Sequence, residues 1–329
     1  MPASNEILKY TPNLPGNIAI AILYAILGGL FSYYIFRHKT KWALCLPIGS
    51  FACSLGFLVR LGLDPHNLLV PLFVLQNILI IATPSAFLAF NYILYGRFVT
   101  AIDPQFSFNQ SHLRMEKSRY CLIPPRIVGR IFVVSDITTF LIQVAAGSMV
   151  GNAAGKNASI ANIGDKLFLT GVCAQGISYG LFTVLLSHTL MRLVADRRKA
   201  GLNQSERSWM GLDRNIAITV GCLYVSSLFI IIRSVYRIIE FVQGHEGYLI
   251  SNEVFLFVLD AVPLVFAIGV WAIVWPTELL DRIAAQVHEE AQTYPMDADN
   301  AQPSRPSIVS AVSNQQNAED KSDLGFARA

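Results

Sequence analysis

Long apolar runs alternate with short polar connections along almost the whole chain. A helix needs about 20 mostly apolar residues to cross a bilayer. Seven runs meet that length, at about 14–36, 42–63, 68–95, 127–150, 167–190, 215–239 and 254–275. Each is helical by length and composition, which predicts an all-α membrane protein built as a seven-transmembrane-helix bundle. The third run contains Pro84 and is expected to kink there, because proline has no N–H for the helical ladder. The first run is longer than a signal-peptide core and is read as a retained span.

Composition supports this reading. Hydrophobic residues make up 53% of the 329, and charged residues only 14%, against about 25% in soluble domains. The net charge of +3 is spread over several loops and indicates no nucleic-acid partner. The five cysteines contain no CxxC pair, so neither a disulfide framework nor a zinc site is expected. No pattern for a cofactor is present.

The basic residues set the orientation. Arg37, Lys39 and Lys41 follow the first span, and Arg97, Arg114, Lys117, Arg119, Arg126 and Arg130 follow the third. Arg192, Arg197, Arg198, Lys199, Arg207 and Arg214 follow the fifth. The N-terminus and the alternate connections hold only Lys9, Lys156 and Lys166. By the positive-inside rule, residues 1–13 are outside and the C-terminus is cytoplasmic. Asn157 then heads the one N-x-[ST] sequon on the outside, because Asn109 and Asn203 fall on cytoplasmic loops. Residues 281–329, beyond a transmembrane domain of 14–280, are polar and read as a largely disordered cytoplasmic tail.

Ionised groups within spans are rare and normally face the bundle interior, where they pair. Here they recur at helical spacing. Arg233, Arg237 and Glu240 share one face of the sixth span. Arg60 ends the second span, and Glu253 and Asp260 open the seventh. From the rise of about 1.5 Å per residue, Arg233 lies roughly 27 Å from the cytoplasmic end of its span. The group therefore gathers in the outer half of the bundle, with three cations against three acids. Asp136 and Gln143 on the fourth span, Gln175 on the fifth and Gln76 on the third complete the candidate site. The glutamines equally fit helix–helix hydrogen bonding. Arg60 and Arg237 equally fit interfacial side chains snorkelling to headgroups. Tyr236 and Tyr248 read as aromatic-belt anchors.

The sequence resembles the fungal lipid-translocating exporters, the RTA-like family, along about residues 10–280. The resemblance is carried by GFLVR at 56–60, by FLAFNYILYGR at 87–97, by SDITTFLIQVAAG at 135–147 and by GVCAQ at 171–175. Its most specific part is IRSVYRIIEFVQGHEGYLISNEVFLFVLDAVP at 232–263. Cys53 stands where the family often has glutamate. The resemblance implies a plasma-membrane protein that moves amphiphilic lipids, notably sphingoid long-chain bases, and protects against toxic amphiphiles. One branch is associated with porphyrin uptake. The expected partners are membrane lipids and an amphiphilic small molecule, whose ammonium head Asp136, Asp260 or Glu253 would meet. A seven-helix receptor for the same ligand has the same topology. An intramembrane enzyme is not supported, because HExxH is missing.

Overall fold

The structure is a computed structural model that describes residues 13–62, 70–103, 120–121, 124–153, 158–199, 213–243 and 253–293. Its elements are helical throughout the described residues. The helices are α1 (Leu14–His38), α2 (Cys45–Leu61), α3 (Val70–Ile102), α4 (Pro125–Ala153), α5 (Ala158–Lys199) and α6 (Arg214–Gln243). A composite α7 follows, made of Glu253–Phe255, a π-helical stretch Leu256–Ala261 and Val262–Ile273. The last helix is α8 (Pro276–Thr293), and a 3₁₀ turn, Lys41–Ala43, precedes α2. Seven of the helices are long and apolar enough to cross a membrane, one for each predicted span.

Local chemistry accounts for the helix ends that are described. Asn13 caps α1 by accepting the Gly16 N–H on its side-chain oxygen at 3.1 Å, and Pro15 sits in the first turn, where an N–H is dispensable. Lys39 closes α1 in the left-handed conformation (φ 52°). α3 passes through Pro84 as uninterrupted helix, extends to Ile102 and so outruns its predicted end. α5 is longer still. Its 42 residues span about 63 Å, twice the hydrocarbon core, so the predicted 167–190 is only its centre.

From α1 to α7 each helix packs on the next in sequence, and α7 returns to α1, which closes a ring. Tyr24 and Tyr34 of α1 donate to the carbonyls of Ala261 and Ala272 at 2.8 and 3.2 Å, offsets of 237 and 238, so α1 and α7 run parallel. Small residues let the helices approach: a Cβ on Gly56 of α2 would lie 2.9 Å from Ile80 Cγ1 on α3.

The polarity of the bundle is that of a protein in lipid. Ile22, Ile26, Phe36, Ile137, Leu181 and Phe266 are exposed, whereas Asn91, Asp136, Gln143, Ser226, Arg233 and Asp260 are buried. Lipid tails solvate the apolar coat, and polar groups find partners only inside. The largest buried side chains, including Trp271, Tyr92, Tyr179 and Phe182, fill the core.

The chain separates into two compact units, Met1–His288 and Glu289–Ala329. The stretch expected to be a tail from 281 is helical as far as Thr293. Leu279, Leu280, Ile283 and Val287 recur at helical spacing and are buried, a pattern hidden by the surrounding charges. Residues 294–329, the expected site of disorder, lie outside the described residues, as does Asn157.

Candidate functional site

The site is organised by a break in α7. Pro263 has no N–H to offer the carbonyl of Leu259, one helical turn before it. The helix widens immediately upstream into the π stretch Leu256–Ala261, the kind of bulge that recurs at functional sites. Tyr24 steadies it by donating to the Ala261 carbonyl. Asp260 lies in this stretch and meets α6.

There the carboxylate takes two arginines. Arg237 Nε and Nη2 lie 2.6 and 2.5 Å from Asp260 Oδ1 and Oδ2, a bidentate pair. Arg233 Nε is 2.9 Å from Asp260 Oδ1, but its N–H is not aligned on that oxygen, so this contact is an ion pair without a hydrogen bond. Arg237 Nη1 also donates to Glu240 Oε2 at 3.1 Å, and Tyr236 donates to Glu240 Oε1 at 3.3 Å. All of these residues except Arg237 are buried, and Asp260 is only 2% exposed. Four isolated charges at the membrane centre would cost roughly 10–14 kcal/mol, at about 2.5–3.5 kcal/mol each. Two cations against two acids, in bonding contact, remove the need to solvate any of them separately.

Three expectations change here. Arg237 faces inward and is fully engaged by Asp260 and Glu240, so it does not snorkel. Tyr236 is buried against Glu240 and is not a belt residue; its face of α6 also carries the charges. Arg60 is buried at the end of α2, close enough to act electrostatically on Asp260, rather than reaching for headgroups. Glu253 opens α7, but its side chain lies outside the described residues, as does Tyr248.

Beside the cluster is a cavity of about 30 Å³, room for two or three waters by the usual allowance. Its polar lining is Gln143, Gln175, Arg233, Ser234 and Arg237, and its apolar walls include Pro84, Phe168 and Phe241. Gln143 donates to Gln175 Oε1 at 3.2 Å, and Gln175 donates to Ser85 Oγ at 3.0 Å, which ties α3, α4 and α5 together. A Cβ on Gly171 would lie 2.8 Å from Gln143 Cγ, so glycine makes room for that glutamine. Both glutamines thus act as helix–helix bridges and as cavity lining. Gln76 is buried apart from this lining, bonded to Asn77 at 3.0 Å.

Asp136 does not join the arginines. Its Oδ2 accepts from Tyr92 at 3.0 Å, and its Oδ1 is buried with no hydrogen-bond partner. Nearby, Asn91 donates to Tyr179 and Ser226, and Tyr179 donates to Ser227, all at 3.0 Å. The sequence reading missed this second polar network. Its signal was available in the paired polar positions Asn91–Tyr92 and Ser226–Ser227 inside apolar runs. Cys53, also buried, lies within electrostatic reach of Arg233 and Asp260.

A ring of seven spanning helices with a neutralised charge cluster and a polar cavity inside defines an integral membrane protein with a hydrophilic site in its interior. The RTA1-like protein family model matches residues 46–283, and the chain belongs to that family. It is 25% identical over 311 residues to Protein RTA1 of Saccharomyces cerevisiae, which covers 87% of this chain and 88% of the relative. The Sphingoid long-chain base transporter RSB1 of the same yeast is 24% identical over 284 residues, 78% of this chain and 69% of the relative. Its Protoporphyrin uptake protein 1 is 28% identical over 196 residues, 60% and 56% of the two chains. No solved structure matches.

Proposed function

We propose that the protein moves amphiphilic lipids, of the sphingoid long-chain base class or related toxic amphiphiles, across the plasma membrane without an ATPase of its own. The observation that carries this reading is the cavity. Polar side chains from α4, α5 and α6 converge on it inside the bundle, next to ions that already neutralise one another. A head group can cross by exchanging partners there while its tail stays in lipid. The relative named as a sphingoid base transporter supports the substrate class.

A second reading, uptake of a carboxylated amphiphile such as a porphyrin, is favoured by one feature: the charged side chains in the cavity wall are both arginines. The relative named as a protoporphyrin uptake protein accords with it. The test is reconstitution of the purified protein in liposomes with a labelled sphingoid base. Transfer between leaflets faster than in protein-free vesicles, and reduced by Arg233→Ala, is expected. Saturable binding without transfer would indicate a receptor, and competition by a carboxylated but not an amine amphiphile would favour the second reading.

A further inference from the structure

We propose that Asp136 is a proton-exchange site: it holds a proton at rest and gives it up to the medium when the cationic head of the cargo pairs with it. This rests on the reading above that the cargo is an amphiphile with an ammonium head, and adds what drives the movement. The step is balanced in atoms and charge. Asp–COOH and R–NH₃⁺ become Asp–COO⁻·R–NH₃⁺ and one H⁺, so a head enters and a proton leaves with no net charge moved.

The two deep acids differ in kind. Asp260 has Arg233 and Arg237 in contact and needs no proton to be stable inside the membrane. Asp136 is equally buried, at 2% exposed. Its helix packs between α3 and α5, which present the phenols of Tyr92 and Tyr179, and no Lys, Arg or His among the described residues acts on it. One hydrogen bond from Tyr92 is its entire described support, and Oδ1 has none. An ionised carboxylate normally needs two or three such donors, or a cation, in a medium without water. The neutral acid needs neither.

Asp136 is also placed to sense the cavity. Asp136, Thr139 and Gln143 fall on one face of α4 at i, i+3 and i+7, and the hydroxyl of Thr139 donates to the Asp136 carbonyl at 3.0 Å. Gln143 lines the cavity, about 10 Å along the helix from Asp136. A head admitted at Gln143 has one uncommitted acid two turns away, and reaching it displaces the proton.

The probe is N,N,N-trimethylsphingosine, whose fixed charge prevents it from crossing as a neutral amine or carrying a proton itself. In liposomes holding the full chain, a gradient of one pH unit should drive about tenfold accumulation, because one-for-one exchange equates the two concentration ratios. Asp136→Asn keeps an acceptor for Tyr92 and mimics the protonated acid. It should not raise the probe above equal concentrations. Equality in the wild type, or tenfold accumulation by the Asn variant, overturns the proposal.

Infrared difference spectra decide the point without any transport. A protonated-carboxyl band should be present at rest, fall when the probe is added and shift in Tyr92→Phe, which keeps the acid if the Asn variant does not fold. No such band, or one indifferent to the probe, overturns the proton site. A band that responds to the probe in a protein that moves no lipid keeps the site and removes the translocation reading.

Discussion

Replacing Asp260 with alanine removes the one acid shared by two buried arginines. Arg237 keeps Glu240, whereas Arg233 has no other acid among the described residues. Breaking a buried pair by deleting one partner costs about 3–5 kcal/mol, mostly the penalty of the stranded charge. At about 2 °C per kcal/mol for a chain of this size or somewhat smaller, the unfolding temperature should fall by roughly 6–10 °C. Arg233→Ala should be milder, about 1–2 kcal/mol, because Asp260 retains its bidentate contact with Arg237. The informative variant is the double. Without Arg233 and Asp260 the remaining Arg237–Glu240 pair is neutral, so neither arginine that contacted Asp260 is left as a stranded charge. The double variant should be no less stable than Asp260→Ala, with a favourable interaction energy of about 1–3 kcal/mol in the cycle. The assay is thermal unfolding in one detergent at one scan rate, since such unfolding is commonly irreversible. If the double loses the sum of the two single losses, the ion pair carries no energy and the cluster is not what keeps these charges in the membrane. Surface abundance and growth on a toxic long-chain base should be recorded beside it. Loss of resistance at normal abundance in the double would assign the cluster to function as well as folding.

Tyr24→Phe should cost about 1–2 kcal/mol by leaving the Ala261 carbonyl of the π stretch short of a donor, read as a fall of a few degrees in unfolding temperature; no change would mean the stretch stands without α1. Gln143→Leu removes one interhelical bond, worth about 0.6 kcal/mol in membrane bundles. Stability should therefore barely move while lipid transfer in liposomes falls, and unchanged transfer would reduce Gln143 to a bridge. Asn157→Gln should abolish any glycan-dependent mobility shift, and the same change at Asn109 or Asn203 should not; the reverse pattern would invert the expected orientation.

The number of spans was legible because a bilayer imposes a length that apolar runs must meet. Their ends were not. The flanks of α5, at 158–166 and 191–199, are helical yet carry Asp165, Lys166, Arg192, Asp196, Arg197, Arg198 and Lys199, so a search for purely apolar runs stops short of them. α8 escaped for a related reason. Its apolar stripe is a narrow seam in a charged segment, which a search for long apolar runs passes over. On α6, spacing alone placed Arg233, Arg237 and Glu240 on one face, and charge balance required an acid from elsewhere. It could not say that Asp260 serves both arginines, because that contact sits in a π turn produced by Pro263. Burial of Tyr236 follows from the same face, but tyrosine is equally at home at a membrane surface, so composition could not choose.

The sequence reading put Asp136 and Asp260 in one candidate site. Depth along a span is legible from sequence, but partners across the bundle are not. The structure gives Asp260 two guanidinium groups and Asp136 only a phenol. The energetic consequences run in opposite directions. Neutralising Asp260 strands Arg233, at about 3–5 kcal/mol, so that acid is held in one charge state by its neighbours. Ionising Asp136 without a partner costs about 2.5–3.5 kcal/mol, and a cationic head arriving beside it offsets that cost. A device that couples cargo to protons needs a group able to change charge with the cargo's arrival and unable to do so without it. Asp260 fails the first condition. Asp136, buried and lacking a described cation, meets both, which makes the arginine cluster the fixed frame of the site and Asp136 its exchangeable element.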